Sequence, residues 1–115
     1  MLPFADQTIT LYIKSNNEFI RSVVDNCTWG KSDAVVTVGT VTIGSDDFKV
    51  QIPEEAGVLE LLPGDVIVRG AVDDEIPAKT SPTALLAKYK GKSFTIRVAY
   101  DYTGKPLGHY EVMGK

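Results

Sequence analysis

From Phe94 to Tyr102 every second residue is aromatic or aliphatic: Phe94, Ile96, Val98, Tyr100 and Tyr102 are separated by Thr95, Arg97, Ala99 and Asp101. A period of two marks an extended strand, because successive side chains of a strand point to opposite sides. A helix would bring together residues three and four apart, so it cannot gather these five on one stripe. The expectation is one long strand whose aromatic-aliphatic face turns to the core. Thr103-Gly104-Lys105-Pro106 supplies a turn, and Tyr110 and Val112 resume the alternation, which makes the unit a hairpin.

The same period recurs upstream. Ile9, Leu11 and Ile13 alternate with Thr10, Tyr12 and Lys14, and Ser15-Asn16-Asn17 turns the chain into a second strand from Glu18 to about Trp29. That strand carries Phe19, Val23, Cys27 and Trp29 on one face, with Ile20 and Val24 opposite and Arg21 and Asp25 interrupting; a bulge or burial on both faces accounts for the mixture. Phe48, Val50 and Ile52 form another alternating run that ends at Pro53, and Pro63-Gly64-Asp65 is a tight turn leading into Val66-Ile67-Val68-Arg69. One helix is signalled over residues 81–90: Ser81 as N-cap, Pro82 at the first helical position, Leu85, Leu86 and Tyr89 on one face, and Gly91 as the stop. It is expected to plug or cover one end of the sheet.

The stretch between Trp29 and Phe48 is different. Its centre, Val35-Val36-Thr37-Val38-Gly39-Thr40-Val41-Thr42-Ile43, is rich in β-branched residues, yet no clean apolar alternation assigns it a buried face. Residues 30–47 are therefore expected to be a protruding loop or hairpin that a protease would find first. The chain is 115 residues long with 43% hydrophobic residues, enough for one domain and for a core that needs no metal or disulfide. The expected fold is mainly β: a single domain over residues 1–115, a five- to six-stranded small barrel or compact sandwich with one short helix and a long inserted loop or hairpin.

Charge and residue type exclude several functions. A net charge of −3 with scattered basic residues is poor equipment for replacing counterions along phosphates, so sequence-specific nucleic-acid binding is not expected. Lys88, Lys90 and Lys92 are best read as the positive residues that suit a helix C-terminus. The single cysteine, Cys27, cannot close an internal disulfide, which fits synthesis in a reducing cytoplasm. The opening residues lack a basic start followed by an apolar stretch, and no apolar run approaches the roughly 20 residues of a membrane helix. His109 is the sole histidine; nothing in its spacing to Cys27 or to a serine supports a nucleophilic triad, and one His with one Cys cannot make a four-ligand zinc site. The carboxylates come in adjacent pairs (Asp46-Asp47, Glu54-Glu55, and the run Asp73-Asp74-Glu75), which point to opposite sides of an extended chain and read as solvated surface. No phosphate-cradling glycine pattern is present. The expected protein binds other proteins, is not an enzyme, and uses no cofactor and no metal. Trp29 is expected to be a core residue at the end of the second strand or, in a sharper reading, the anchor that pins the inserted segment to the barrel.

The order of several pieces resembles a known family. They are Thr8-Ile9-Thr10-Leu11-Tyr12, Thr28-Trp29 before a variable insertion, Val50-Gln51-Ile52-Pro53, Pro63 to Gly70, Gly91-Lys92-Ser93-Phe94-Thr95-Ile96, and Tyr102 to Lys115. Together they resemble the small minor capsid or head–tail connector proteins of tailed phages and prophages of Gram-positive bacteria. The likeness implies a head-closure, stopper-type role: a small β-barrel with a long inserted loop, assembled as a ring of about twelve copies from heterologous contacts. The ring would lie between the portal-bound adaptor and the tail proteins and help to retain packaged DNA, first in the host bacterial cytoplasm and then in the virion neck. By position the channel or oligomer loop is the segment holding Asp33, Val35, Val36, Thr37, Val38, Gly39, Thr40, Val41, Thr42, Ile43, Asp46 and Asp47. Its three aspartates would repel phosphate and suit a gate near DNA. Two other readings share the small β-rich character: a tail-completion or tail-terminator protein, and an SH3-like barrel binding module unrelated to phage, which Pro63 to Gly70 resembles.

Overall fold

The computed structural model describes residues 5–31, 36–38, 41–43, 48–57, 60–77, 80–104 and 108–115. Nine strands appear among them: β1 (Gln7–Ser15), β2 (Glu18–Cys27), β3 (Gly30–Lys31), β4 (Val36–Val38), β5 (Val41–Ile43), β6 (Phe48–Pro53), β7 (Val66–Arg69), β8 (Ser93–Asp101) and β9 (His109–Gly114). A 3₁₀ turn, Glu54–Ala56, follows β6, and one helix, α1 (Thr83–Lys88), precedes β8. Seven strands form one antiparallel sheet in the order β2-β1-β7-β8-β9-β6-β3, while β4 and β5 pair as a sheet of their own. The two outermost strands of the large sheet, β2 and β3, are separated in sequence only by Thr28 and Trp29. The sheet must therefore curl until its edges meet at that corner. There the Thr28 amide donates to the Gln51 carbonyl at 3.0 Å, and the Gln51 amide donates to Thr28 Oγ1 at 2.9 Å. The result is a barrel-like curl fastened at one corner, not a barrel closed by a ladder.

The curl has an inner core and a covered outer face. Ile9 and Leu11 of β1, Val50 and Ile52 of β6, Ile67 of β7, Phe94 and Ile96 of β8 and Tyr110 and Val112 of β9 fill the inside with Cys27 and Leu61. Each fully buried aliphatic side chain contributes roughly 1.5–3 kcal/mol. Outside, Tyr12, Val66 and Val68 lie under Ile76, under Leu85 and Leu86 of α1, and under Tyr89 just after it. Burial on both faces explains why Val66-Ile67-Val68 is an unbroken apolar run. The helix thus shows the expected face to the protein but lies over a sheet face instead of an end. It is also shorter than expected, with Pro82 at the cap position and Gly91 beyond it at φ 83°.

Two bulges alter the expected faces. In β2 the register moves from Ile9↔Val24 to Gln7↔Cys27, so Asp25 and Asn26 together stand opposite Thr8 and one residue is extra, with Asn26 at φ 61°. Asparagine tolerates that left-handed conformation better than most residues. The four residues expected on one face separate: Phe19 joins the outer cluster, Cys27 and Trp29 the inner one, and Val23 is exposed. In β8 the partners move from Ile96↔Gly114 to Val98↔Met113, so Arg97 is the extra residue in the register. Phe94 and Ile96 point inward, but beyond the bulge Ala99 takes the inner side. Val98 and Tyr100 form an outer cluster with Met113. The expectation of a single aromatic-aliphatic face from Phe94 to Tyr102 is thereby corrected, because one extra residue in the register inverts the parity of all that follow it.

Candidate functional site

The inserted segment is rooted by a short ladder and three rings. Gly30 pairs with Lys49 and Lys31 with Phe48, so both ends of the insertion stand side by side. Trp29, the last residue before the segment, packs on Phe48, the first after it, with ring centroids 5.3 Å apart. Phe94 of β8 completes the clasp at 5.6 Å from Trp29 and 5.4 Å from Phe48. The Arg69 guanidinium lies 5.9 Å from the Trp29 ring and donates from Nε to Gln7 Oε1 at 3.0 Å, so a cation from β7 also covers the indole. Trp29 stands at the base of the segment, in ring contact with Phe48 and Phe94. Its partners Phe48 and Phe94 were missed, although an aromatic residue at each end of an insertion is a usable signal.

Within the segment, Val36, Thr37 and Val38 lie on β4 and Val41, Thr42 and Ile43 on β5, paired Val36↔Ile43, Thr37↔Thr42 and Val38↔Val41. Asp33, Val35, Gly39, Thr40, Asp46 and Asp47 lie outside the described residues.

Beside the clasp, the outer sides of β6, β9 and β8 carry a polar-aromatic strip. Tyr100 stacks on Tyr102 at 5.8 Å, and Tyr102 meets His109 at 5.3 Å. Lys49 Nζ reaches Glu111 Oε1 at 3.2 Å, and His109 Nε2 lies 3.8 Å from the other Glu111 oxygen. His109 is half-buried at the rim, and Tyr100 and Tyr102 stand on the outer side of the sheet and not in the core.

The remaining candidate chemistry is structural. Burial, with Asp25 adding a smaller push, raises the Cys27 thiol to about 12, so the sulfur stays protonated and unreactive. Asp74 is not a solvated bend: Lys88 Nζ binds its Oδ2 at 2.6 Å, and Tyr89 donates to its Oδ1 at 2.5 Å. The Lys88 bond, followed by the Tyr89 bond, holds the carboxyl below its ordinary value. The fully buried Tyr12 donates to the Asp74 carbonyl at 2.6 Å, and burial, then the Asp74 charge, lifts its phenol to about 12. These contacts fasten residues 71–77 over the sheet. Asp65, 2% exposed, accepts from the amides of Lys14 and Leu62 at 3.0 Å each and secures the Pro63-Gly64 turn. Glu54 Oε2 accepts from the Gly104 amide at 2.9 Å, tying the 3₁₀ turn to the β8–β9 connection. Among the described residues no group of three or more His, Cys, Asp or Glu side chains could hold a metal ion, and no helix is long and apolar enough to cross a membrane.

Residues 4–115, nearly the whole chain, match DUF6751, described as a family of unknown function. The chain belongs to this family. The match to DUF6751 takes in both the clasp and the insertion. No curated protein and no solved structure matches the chain.

Proposed function

We propose that this chain is a structural subunit of a tailed-phage neck, a head-closure or head–tail connector protein that acts by binding proteins and not by catalysis. It forms a ring between the portal-bound adaptor and the tail proteins and helps to retain packaged DNA, with the host cytoplasm as the place of assembly and the virion neck as its destination. The observation that carries the reading is the rooted insertion. A compact sheet holds both ends of the segment in one aromatic clasp, while the β-branched hairpin β4–β5 makes its own pairing apart from that sheet. A two-stranded hairpin is marginal alone in water, so such a segment gains from strands added by neighbours. A subunit of this design offers a strand-forming arm without disturbing its core.

The test is co-expression with a tailed-phage portal protein and its adaptor, followed by electron microscopy of the complexes. The reading expects a ring seated on the adaptor and loss of that ring when residues 32–47 are replaced by Asn-Gly. Replacing Asp33, Asp46 and Asp47 by Asn should increase DNA leakage from filled heads. A chain that never joins a portal–adaptor complex would remove the proposal.

A further inference from the structure

At the end of β8 away from the clasp, the inner side of the sheet opens into a cleft of about 200 Å³ lined by Glu60, Leu61, Ala99, Tyr100, Asp101 and Tyr110. Leu61 and Tyr110 are buried members of the inner core and Ala99 packs against it, so the cleft has an apolar floor. Glu60 and Asp101 are exposed and stand at its rim. The Thr103 hydroxyl donates to Asp101 Oδ1 at 2.6 Å and the Thr103 amide to the same oxygen at 2.9 Å. These bonds, the hydroxyl first, hold the carboxyl below its ordinary value, so Asp101 is charged at neutral pH. Both fall on Oδ1, and Oδ2 takes no hydrogen bond among the described residues. Glu60 makes no ion pair or side-chain hydrogen bond among them either. No lysine, arginine or histidine lines the cleft, so two negative charges border an apolar floor with no cation beside them.

We infer that this cleft is the docking site for one arginine side chain of a protein partner. Size and charge select the occupant. Pockets for small molecules begin near roughly 300 Å³, so this cleft is too small for a cofactor and large enough for one long side chain. A calcium ion collects about six to eight oxygen ligands, and among the described residues no group of three or more His, Cys, Asp or Glu side chains could hold a metal. An apolar floor beneath a charged rim suits a group that is aliphatic along its stem and cationic at its tip. Arginine meets this better than lysine: its planar guanidinium presents donors to two carboxylates at once and lies favourably against a tyrosine ring, whereas an ammonium is a strongly hydrated point charge. The cleft is also well placed for a second contact. Phe94 in the clasp and Asp101 at the cleft stand at opposite ends of β8, roughly 20 Å apart along the strand. A partner seated at Asp101 therefore leaves the insertion free. The inference stands on the cleft and does not rest on the neck reading.

Titration of the full chain, labelled with nitrogen-15, with Nα-acetyl-arginine amide tests the site by amide chemical shifts. Binding in the millimolar range should move the amides of Leu61, Ala99 and Asp101 together, with one saturation curve. Nα-acetyl-citrulline amide has the same shape without the charge and should bind about 25-fold more weakly, and Nα-acetyl-lysine amide should fall between the two. Asp101→Asn keeps an oxygen for the Thr103 bonds and Glu60→Gln alters an exposed side chain, so both variants should fold as the parent does. Each should weaken arginine binding about fivefold. Shifts absent from the three amides up to about 50 mM ligand would overturn the inference. So would citrulline binding as tightly as arginine, lysine binding as tightly as arginine, or affinity unchanged in both D101N and E60Q.

Discussion

Gly114 pairs with Ile96 beside the β8 bulge, and Gly114→Ala turns the close packing there into a number. A Cβ at this position would stand 1.9 Å from the Thr95 carbonyl oxygen and 2.7 Å from Cδ2 of Phe94. The first distance is about 1.5 Å short of the 3.4 Å where ordinary contact begins, and the obstacle is strand backbone that cannot rotate away. Gly114 lies between Phe48 on one side and Ile96 on the other, so relief requires β9 to part from β8 or β6 at its end. Overpacking of this kind costs about 1–3 kcal/mol, and each ladder bond given up adds about 1 kcal/mol, so the expected loss is roughly 2–4 kcal/mol. For a domain of this size that lowers Tm by roughly 8–16 °C. Thermal unfolding followed by circular dichroism, with urea titration at 25 °C, measures both quantities. A Tm within about 2 °C of the parent would refute the packing argument and with it the parity inversion in β8.

The clasp and the buried groups give further expectations. Trp29→Ala removes a half-buried ring from contact with Phe48 and Phe94 and should cost about 2–3 kcal/mol by urea unfolding, less than a fully buried tryptophan. Asp74 has its carboxyl pKa lowered in the folded state, so its contribution is present above its ordinary value near 3.8 and is lost as pH falls through the folded value. Asp74→Asn should accordingly flatten the acid limb of a stability–pH profile while leaving its slope near neutrality unchanged. Cys27, buried with its thiol raised to about 12, should resist a thiol reagent at pH 8 in the native state and react fully in denaturant.

Much of the sheet is legible because alternation is a local signal. Ile9, Leu11, Val50 and Ile52 fall on the inner side as their spacing dictates, and Pro63-Gly64-Asp65 makes the turn before Val66. The failures occur where a single residue breaks parity. Neither Asp25-Asn26 nor Arg97 announces a bulge, and the second lies next to the close approach of Gly114, seventeen positions away in sequence and across the sheet. The place of Trp29 directly before the insertion was readable from the sequence. Its contact with Phe94 was not, because only the curl of the sheet brings β8 to the corner where β2 becomes β3. Asp74 looked solvated for the same reason: Lys88 and Tyr89 reach it from a helix packed on the opposite side of the residue's own loop.

The central claim is that the insertion is additional to a sheet that folds without it. Lys31 and Phe48 are direct partners, so Asn-Gly in place of residues 32–47 should close them as a two-residue hairpin. Differential scanning calorimetry of that shortened chain is the most direct measurement. The account predicts one cooperative transition within about 5 °C of the parent. A broad, non-cooperative melt would mean that the segment belongs to the core, and the rooted-arm reading would fail.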